Sequence, residues 1–84
     1  MSNILVVEDS ERIASFIVKG LQSHGYQVTH TVNGEDALKL SAAAEFDLVI
    51  LDIGLPGIDG FAVLEQLRGS GNEIPVIVLT ARDS

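Results

Sequence analysis

Leu48-Val49-Ile50-Leu51-Asp52 sets a run of branched apolar residues directly before a carboxylate. Two other runs have the same make-up: Ile4-Leu5-Val6-Val7, followed by Glu8-Asp9, and Val76-Ile77-Val78-Leu79, followed by Thr80. Continuous branched runs of this length suit strands covered on both faces, as in a parallel sheet. A further stretch, Tyr26 to Val32, alternates instead. Tyr26, Val28, His30 and Val32 fall on one face and Gln27, Thr29 and Thr31 on the other, which predicts a half-exposed strand at a sheet edge. Helical spacing fills the gaps. From Ser10, apolar residues recur at Ile13, Phe16, Ile17 and Leu21, and Gly25 supplies a stop. Asn33 reads as the N-cap of a second helix through Ala37, Leu38 and Ala42, with Glu35 and Asp36 favourable in its first turn. Asp59 reads as the cap of a third, carrying Phe61, Leu64, Glu65 and Leu67 before Arg68 and the Gly69-Ser70-Gly71 breaker. The order βαβαβαβ with right-handed crossovers gives an α/β fold, a parallel sheet with helices on both faces.

With 84 residues the chain makes one domain, residues 1–84, and its stability is expected to be marginal. Its 46% hydrophobic content is ample for a packed core and too high for a disordered tail. Five basic against twelve acidic side chains give a formal charge of −7. That balance argues against direct nucleic-acid binding, which needs clustered Lys and Arg to neutralise phosphate. The absence of cysteine excludes disulfides and thiolate metal sites. The start, Met1-Ser2-Asn3-Ile4, has no basic leader, and no apolar run approaches the roughly 20 residues that span a bilayer. A soluble, cytoplasmic domain is expected. The ending Ala81-Arg82-Asp83-Ser84 reads as a loop entering a helix N-cap, so the chain is expected to stop within a domain.

Ligands of open parallel sheets bind at the carboxyl ends of the strands. That rule selects Glu8 and Asp9 after the first strand, Asp52 after the third and Thr80 after the fourth. Two carboxylates roughly 4 Å apart repel by about 4 kcal/mol at an effective dielectric near 20. A hard divalent cation relieves such repulsion, and magnesium favours carboxylates, a carbonyl and retained waters. One carboxylate would then be left to attack a phosphoryl group. The ordinary readings stand beside this one. A lone acid after a strand is commonly a turn residue or a helix cap, and Asp9 could serve only as the cap of the first helix. Thr80 alone could be a simple strand-end hydroxyl. His24 and His30 stand apart from the cluster and read as structural or exposed, not as carriers of the chemistry.

Ile4-Leu5-Val6-Val7-Glu8-Asp9 resembles the opening strand and acidic pair of the receiver domains of bacterial two-component response regulators. Asp47-Leu48-Val49-Ile50-Leu51-Asp52-Ile53-Gly54-Leu55-Pro56-Gly57-Ile58-Asp59-Gly60 resembles their phosphoacceptor segment. Pro75-Val76-Ile77-Val78-Leu79-Thr80-Ala81 resembles their fourth strand with its switch hydroxyl. The resemblance runs in order along the whole chain. It implies a flavodoxin-like (CheY-like) three-layer α/β/α fold with strand order 2-1-3-4, the family's fourth helix, fifth strand and fifth helix being absent. It implies that Asp52 accepts phosphate from a sensor histidine kinase. Asp9, Asp52 and the backbone carbonyl of Gly54 would bind Mg2+, with Glu8 acting mainly through water. Thr80 would turn toward the phosphoryl oxygens, and the backbone amide of Ala81 would add a donor. Such a domain is a signalling switch rather than an enzyme.

The family's lysine at the end of a fifth strand has no counterpart, since Lys19 and Lys39 both fall in predicted helices. The segment Ile53 to Gly60 and the ending Leu79 to Ser84 resemble the OmpR/PhoB class, in which a separate C-terminal domain binds DNA. With the fifth strand missing, the apolar fourth strand becomes an open edge, and a homodimer through the C-terminal half is expected. An alternative reading is a receiver-like interaction module that is not phosphorylated in this form. An aspartyl-phosphate enzyme of the haloacid dehalogenase type is disfavoured. Those enzymes carry Asp-x-Asp after the first strand, whereas here Asp52 follows the third and Gly54 stands two beyond it. Neither a Gly-x-Gly-x-x-Gly nor a P-loop motif is present.

Overall fold

The structure, a computed structural model, describes residues 2–79. Thr80 and Ala81, both selected from the sequence as site residues, lie outside the described residues. The elements run β1 (Asn3–Val7), α1 (Glu11–Ser23), β2 (Gln27–Thr31), α2 (Gly34–Ala43), β3 (Leu48–Asp52), α3 (Gly60–Gly69) and β4 (Val76–Leu79). Among the described residues the strands form one parallel sheet in the order β2-β1-β3-β4. This is the flavodoxin-like order expected from the resemblance.

The continuous apolar runs are explained by the two cores they serve. Leu5, Val7, Val49 and Leu51 face one side, where Ala37 of α2 and Val63 and Leu67 of α3 close over them. Ile4, Val6 and Ile50 face the other, against Ile17, Val18 and Leu21 of α1. Because neighbouring strand residues point to opposite faces, a strand between two helical layers must be apolar at every position. Burial of each such Val, Leu or Ile stabilises the fold by about 1.5–3 kcal/mol. Among the described residues no helix is long and apolar enough to cross a membrane.

Each helix begins where its capping residue stands. Ser10 Oγ accepts from the Ile13 amide, Asn33 Oδ1 from Asp36 and Asp59 Oδ1 from Ala62, which satisfies amides that the first turn leaves unpaired. Gly25 takes φ 88° just beyond the α1 C-cap, a left-handed conformation that favours glycine. The expected apolar faces of α1 and α3 need correction at their aromatic residues. Phe16 is 82% and Phe61 60% exposed. On α1 the covered stripe runs through Ile13, Ala14, Ile17, Val18 and Leu21. At about 100° per residue, Phe16 projects roughly 130° away from that stripe. Phe61 stands about 120° from Leu67 on α3 by the same construction. The β2 alternation also fails in detail. Its buried residue is Thr31, from the face expected to be polar, while Val28 is half-buried and His30 exposed. The position of β2 at the sheet edge agrees with expectation.

Candidate functional site

The parallel register fixes the meeting of the acids. Val7 of β1 lies opposite Leu51 of β3, so Glu8 and Asp52 leave adjacent strands at the same level. Asp52 in turn pairs with Leu79 of β4, and the Ile53 amide donates to the Leu79 carbonyl at 3.3 Å. Glu8, Asp9 and Asp52 each offer a carboxylate oxygen, and these atoms lie within 4.8 Å of one another. Glu8 is buried, Asp52 half-buried and Asp9 exposed, so the cluster grades from the core to solvent.

The turn after β1 is held by short bonds. The Glu8 amide donates to the Thr31 carbonyl at 3.0 Å, and Glu8 Oε2 accepts from the Ser10 amide at 3.0 Å. Ser10 caps α1 through its hydroxyl, so the reading of Asp9 as merely a helix cap is set aside. The Asp9 carboxylate has no such duty and stands in the cluster. Asp52 is oriented from the other side, its Oδ1 accepting from the Gly54 amide at 3.1 Å.

Behind Asp52, Gly60 lets α3 start against the end of β3. A Cβ there would stand 2.6 Å from both the Asp52 carbonyl oxygen and the Ile53 Cα. The Gly60 amide donates to the Ile53 carbonyl at 3.2 Å, so the 53–60 loop folds back on the strand. Gly60 was legible only as part of a motif, because its role is a close approach between distant backbones.

Burial pushes the Glu8 carboxyl above its ordinary value of 4.5; the Ser10 amide partly offsets this, and the Asp52 charge and hydrogen bonds to Asp52 and Asp9 add to the rise. A carboxylate pair within this spacing repels by about 3 kcal/mol or more at an effective dielectric of 20. Three hard oxygen donors, crowded and mutually repelling, fit a hard divalent cation. His24 behaves as expected, exposed at the end of α1 with Nδ1 3.0 Å from the Gly20 carbonyl oxygen. His30 does not stand apart. Its Nε2 lies 2.8 Å from the carbonyl oxygen of Glu8. The only sequence signal was its place near the end of a strand neighbouring β1.

Comparison with known proteins agrees with this architecture. The model of the response regulator receiver domain matches residues 4–84. The transcriptional regulatory protein PcoR of Escherichia coli is 42% identical over 84 residues, covering 100% of this chain and 37% of its own length. The uncharacterized transcriptional regulatory protein YkoG of Bacillus subtilis is 46% identical over 82 residues, covering 98% of this chain and 36% of its own. A solved structure of the response regulator TrrA from Thermotoga maritima, in complex with Mg2+ and BeF, superposes with a TM-score of 0.93 at 41% identity. That match covers 99% of this chain and 72% of TrrA. A structure of the histidine kinase ThkA in complex with TrrA matches with a TM-score of 0.91 at 40% identity, over 100% of this chain and 72% of that one. The chain belongs to the response regulator receiver domain family. It spans little more than a third of the length of these curated relatives.

Proposed function

We propose that Asp52 accepts a phosphoryl group from the phosphohistidine of a sensor histidine kinase. A carboxylate oxygen of Asp52 forms the new bond to phosphorus as the phosphorus–nitrogen bond breaks, and the bonding electrons return to the imidazole. The observation that carries this reading is the convergence of Glu8, Asp9 and Asp52 within 4.8 Å at the carboxyl edge of the sheet. The likeness to a regulator solved with Mg2+ and BeF supports it, and so does the likeness to one solved with its kinase.

Asp9, Asp52 and the Gly54 carbonyl would hold Mg2+, with Glu8 acting mainly through water. When bound, the cation offsets the clustered negative charge and that of the incoming phosphoryl oxygens. The chain's own residues do the positioning. The Gly54 amide holds one oxygen of Asp52, and the Ser10 amide holds Glu8. Thr80 would turn toward the new phosphoryl group and the Ala81 amide would donate to it. The domain, residues 1–84, then works in the cytoplasm as a switch rather than as a turnover enzyme. In the whole protein it would control a DNA-binding effector domain and would not touch DNA itself.

The test is intact mass after incubation with Mg2+ and a small phosphodonor, for wild type and Asp52→Asn. A single phosphoryl adduct on wild type alone is expected. An adduct of equal yield on Asp52→Asn would remove Asp52 from the role.

A second reading, self-association, is favoured by β4. Among the described residues it pairs only with β3, and Ile77 and Val78 are 50% and 40% exposed. We infer that this chain forms a homodimer through its C-terminal half.

A further inference from the structure

We propose that His30 is a positioning residue for the cation site, acting through the backbone of Glu8. The inference rests on the reading of the site as one that holds Mg2+. A carbonyl oxygen can only accept, so His30 Nε2 carries the proton and donates to the Glu8 carbonyl at 2.8 Å. That peptide unit is planar and contains the Asp9 nitrogen. Fixing its oxygen therefore fixes the direction in which the chain passes from Glu8 to Asp9, the two residues whose carboxylates meet Asp52.

The bond stands where the sheet can no longer supply one. The β1–β2 register ends at Val7↔Thr31. The Glu8 amide still reaches the Thr31 carbonyl at 3.0 Å. In a parallel ladder the Glu8 carbonyl would next receive the amide of residue 33, but the chain has already turned to make Asn33 the cap of α2. The imidazole of His30 supplies the donor instead. Both backbone polar groups of Glu8 are thus held by consecutive residues of β2. His30 is exposed, beside a shallow cavity lined by Glu11, Ala14, Ser15 and Val18. Its removal therefore takes little from either core, and the bond to the Glu8 carbonyl is the one hydrogen bond its ring makes among the described residues.

The experiment is calorimetric titration of the full chain with MgCl2, for wild type, His30→Ala and His30→Gln, with urea unfolding of each in EDTA. Loss of an outer partner of a metal ligand weakens metal affinity by roughly tenfold or more. His30→Ala is expected to lose roughly tenfold in Mg2+ affinity while its unfolding midpoint in EDTA stays close to wild type. His30→Gln, whose amide can donate to the same carbonyl, is expected to recover most of the affinity. Wild-type affinity in His30→Ala would overturn the proposal. So would a His30→Gln protein that keeps the wild-type midpoint yet binds as weakly as His30→Ala. No Mg2+ uptake by wild type would instead overturn the site reading beneath it, and the two failures are separable.

Discussion

Glu8 carries an electrostatic tension set by its burial and its acidic neighbours. Burial and its acidic neighbours raise its pKa above 4.5. A carboxyl with a raised pKa in the folded state favours folding fully below its unfolded pKa, and that contribution is lost as pH rises through the folded value. Above that range the charged form of Glu8 is therefore a standing cost to the fold. Glu8→Gln removes the charge and keeps an oxygen for the Ser10 amide. Thermal unfolding in EDTA is expected to show a higher midpoint for Glu8→Gln at neutral pH, with the gain vanishing as pH falls through 4.5. Equal midpoints at pH 7 would mean the cluster relaxes without cost. Mg2+ should stabilise wild type more than the variant, because only wild type has that repulsion to relieve. The acid trio was legible in the sequence because each member sits beside the end of an apolar run, and strand ends are where parallel sheets place their sites. Gly60 and His30 carried no comparable signal. Their roles depend on which segments the fold brings within 3 Å, a matter of register that the bare sequence does not display.

At the scale of elements, the strands and the caps of α2 and α3 were legible, whereas the cap of α1, which falls on Ser10 and not on Asp9, and the outward faces of the helices were not. Ser10, Asn33 and Asp59 cap because they combine a short acceptor side chain with a following helical pattern. Phe16 and Phe61 misled because apolar character alone does not say which side of a helix a residue occupies; the neighbouring Ala14 and Val63, small or β-branched, take the buried places. The α2–α3 side of the sheet retains a defect. Ser41 Oγ is buried without a hydrogen-bond partner among the described residues, near Leu38 and Ala42 on α2 and Gln66 and Leu67 on α3. An unpaired buried hydroxyl costs about 1–3 kcal/mol, and alanine is also the better helix former. Ser41→Ala is therefore expected to stabilise by about 1 kcal/mol, raising the melting temperature by about 4–8 °C in a domain of this size. Calorimetry checks this, and a lower melting temperature would show that the hydroxyl has a partner after all.

At the scale of the whole molecule, two features act against each other in self-association. Ile77 and Val78 are consecutive residues of β4, so they point to opposite faces of the sheet, and both are exposed. Among the described residues the outer edge of β4 has no partner, and a strand edge flanked by apolar residues on both faces recruits another chain. The formal charge of −7, however, repels a second copy over distances comparable to the Debye length. Salt separates the two effects. Screening weakens the repulsion and leaves apolar contact intact, so the dimer fraction of this 84-residue chain is expected to rise between low and moderate ionic strength. Light scattering across a salt and concentration series measures it directly. Val78→Lys places a charge on the open edge, a device that natural sheets use to block edge pairing, and is expected to hold the chain monomeric at every salt concentration. A wild-type chain that stays monomeric at high concentration and high salt would remove the dimer. One whose association weakens with salt would move the contact from the apolar edge to ion pairs elsewhere on the surface.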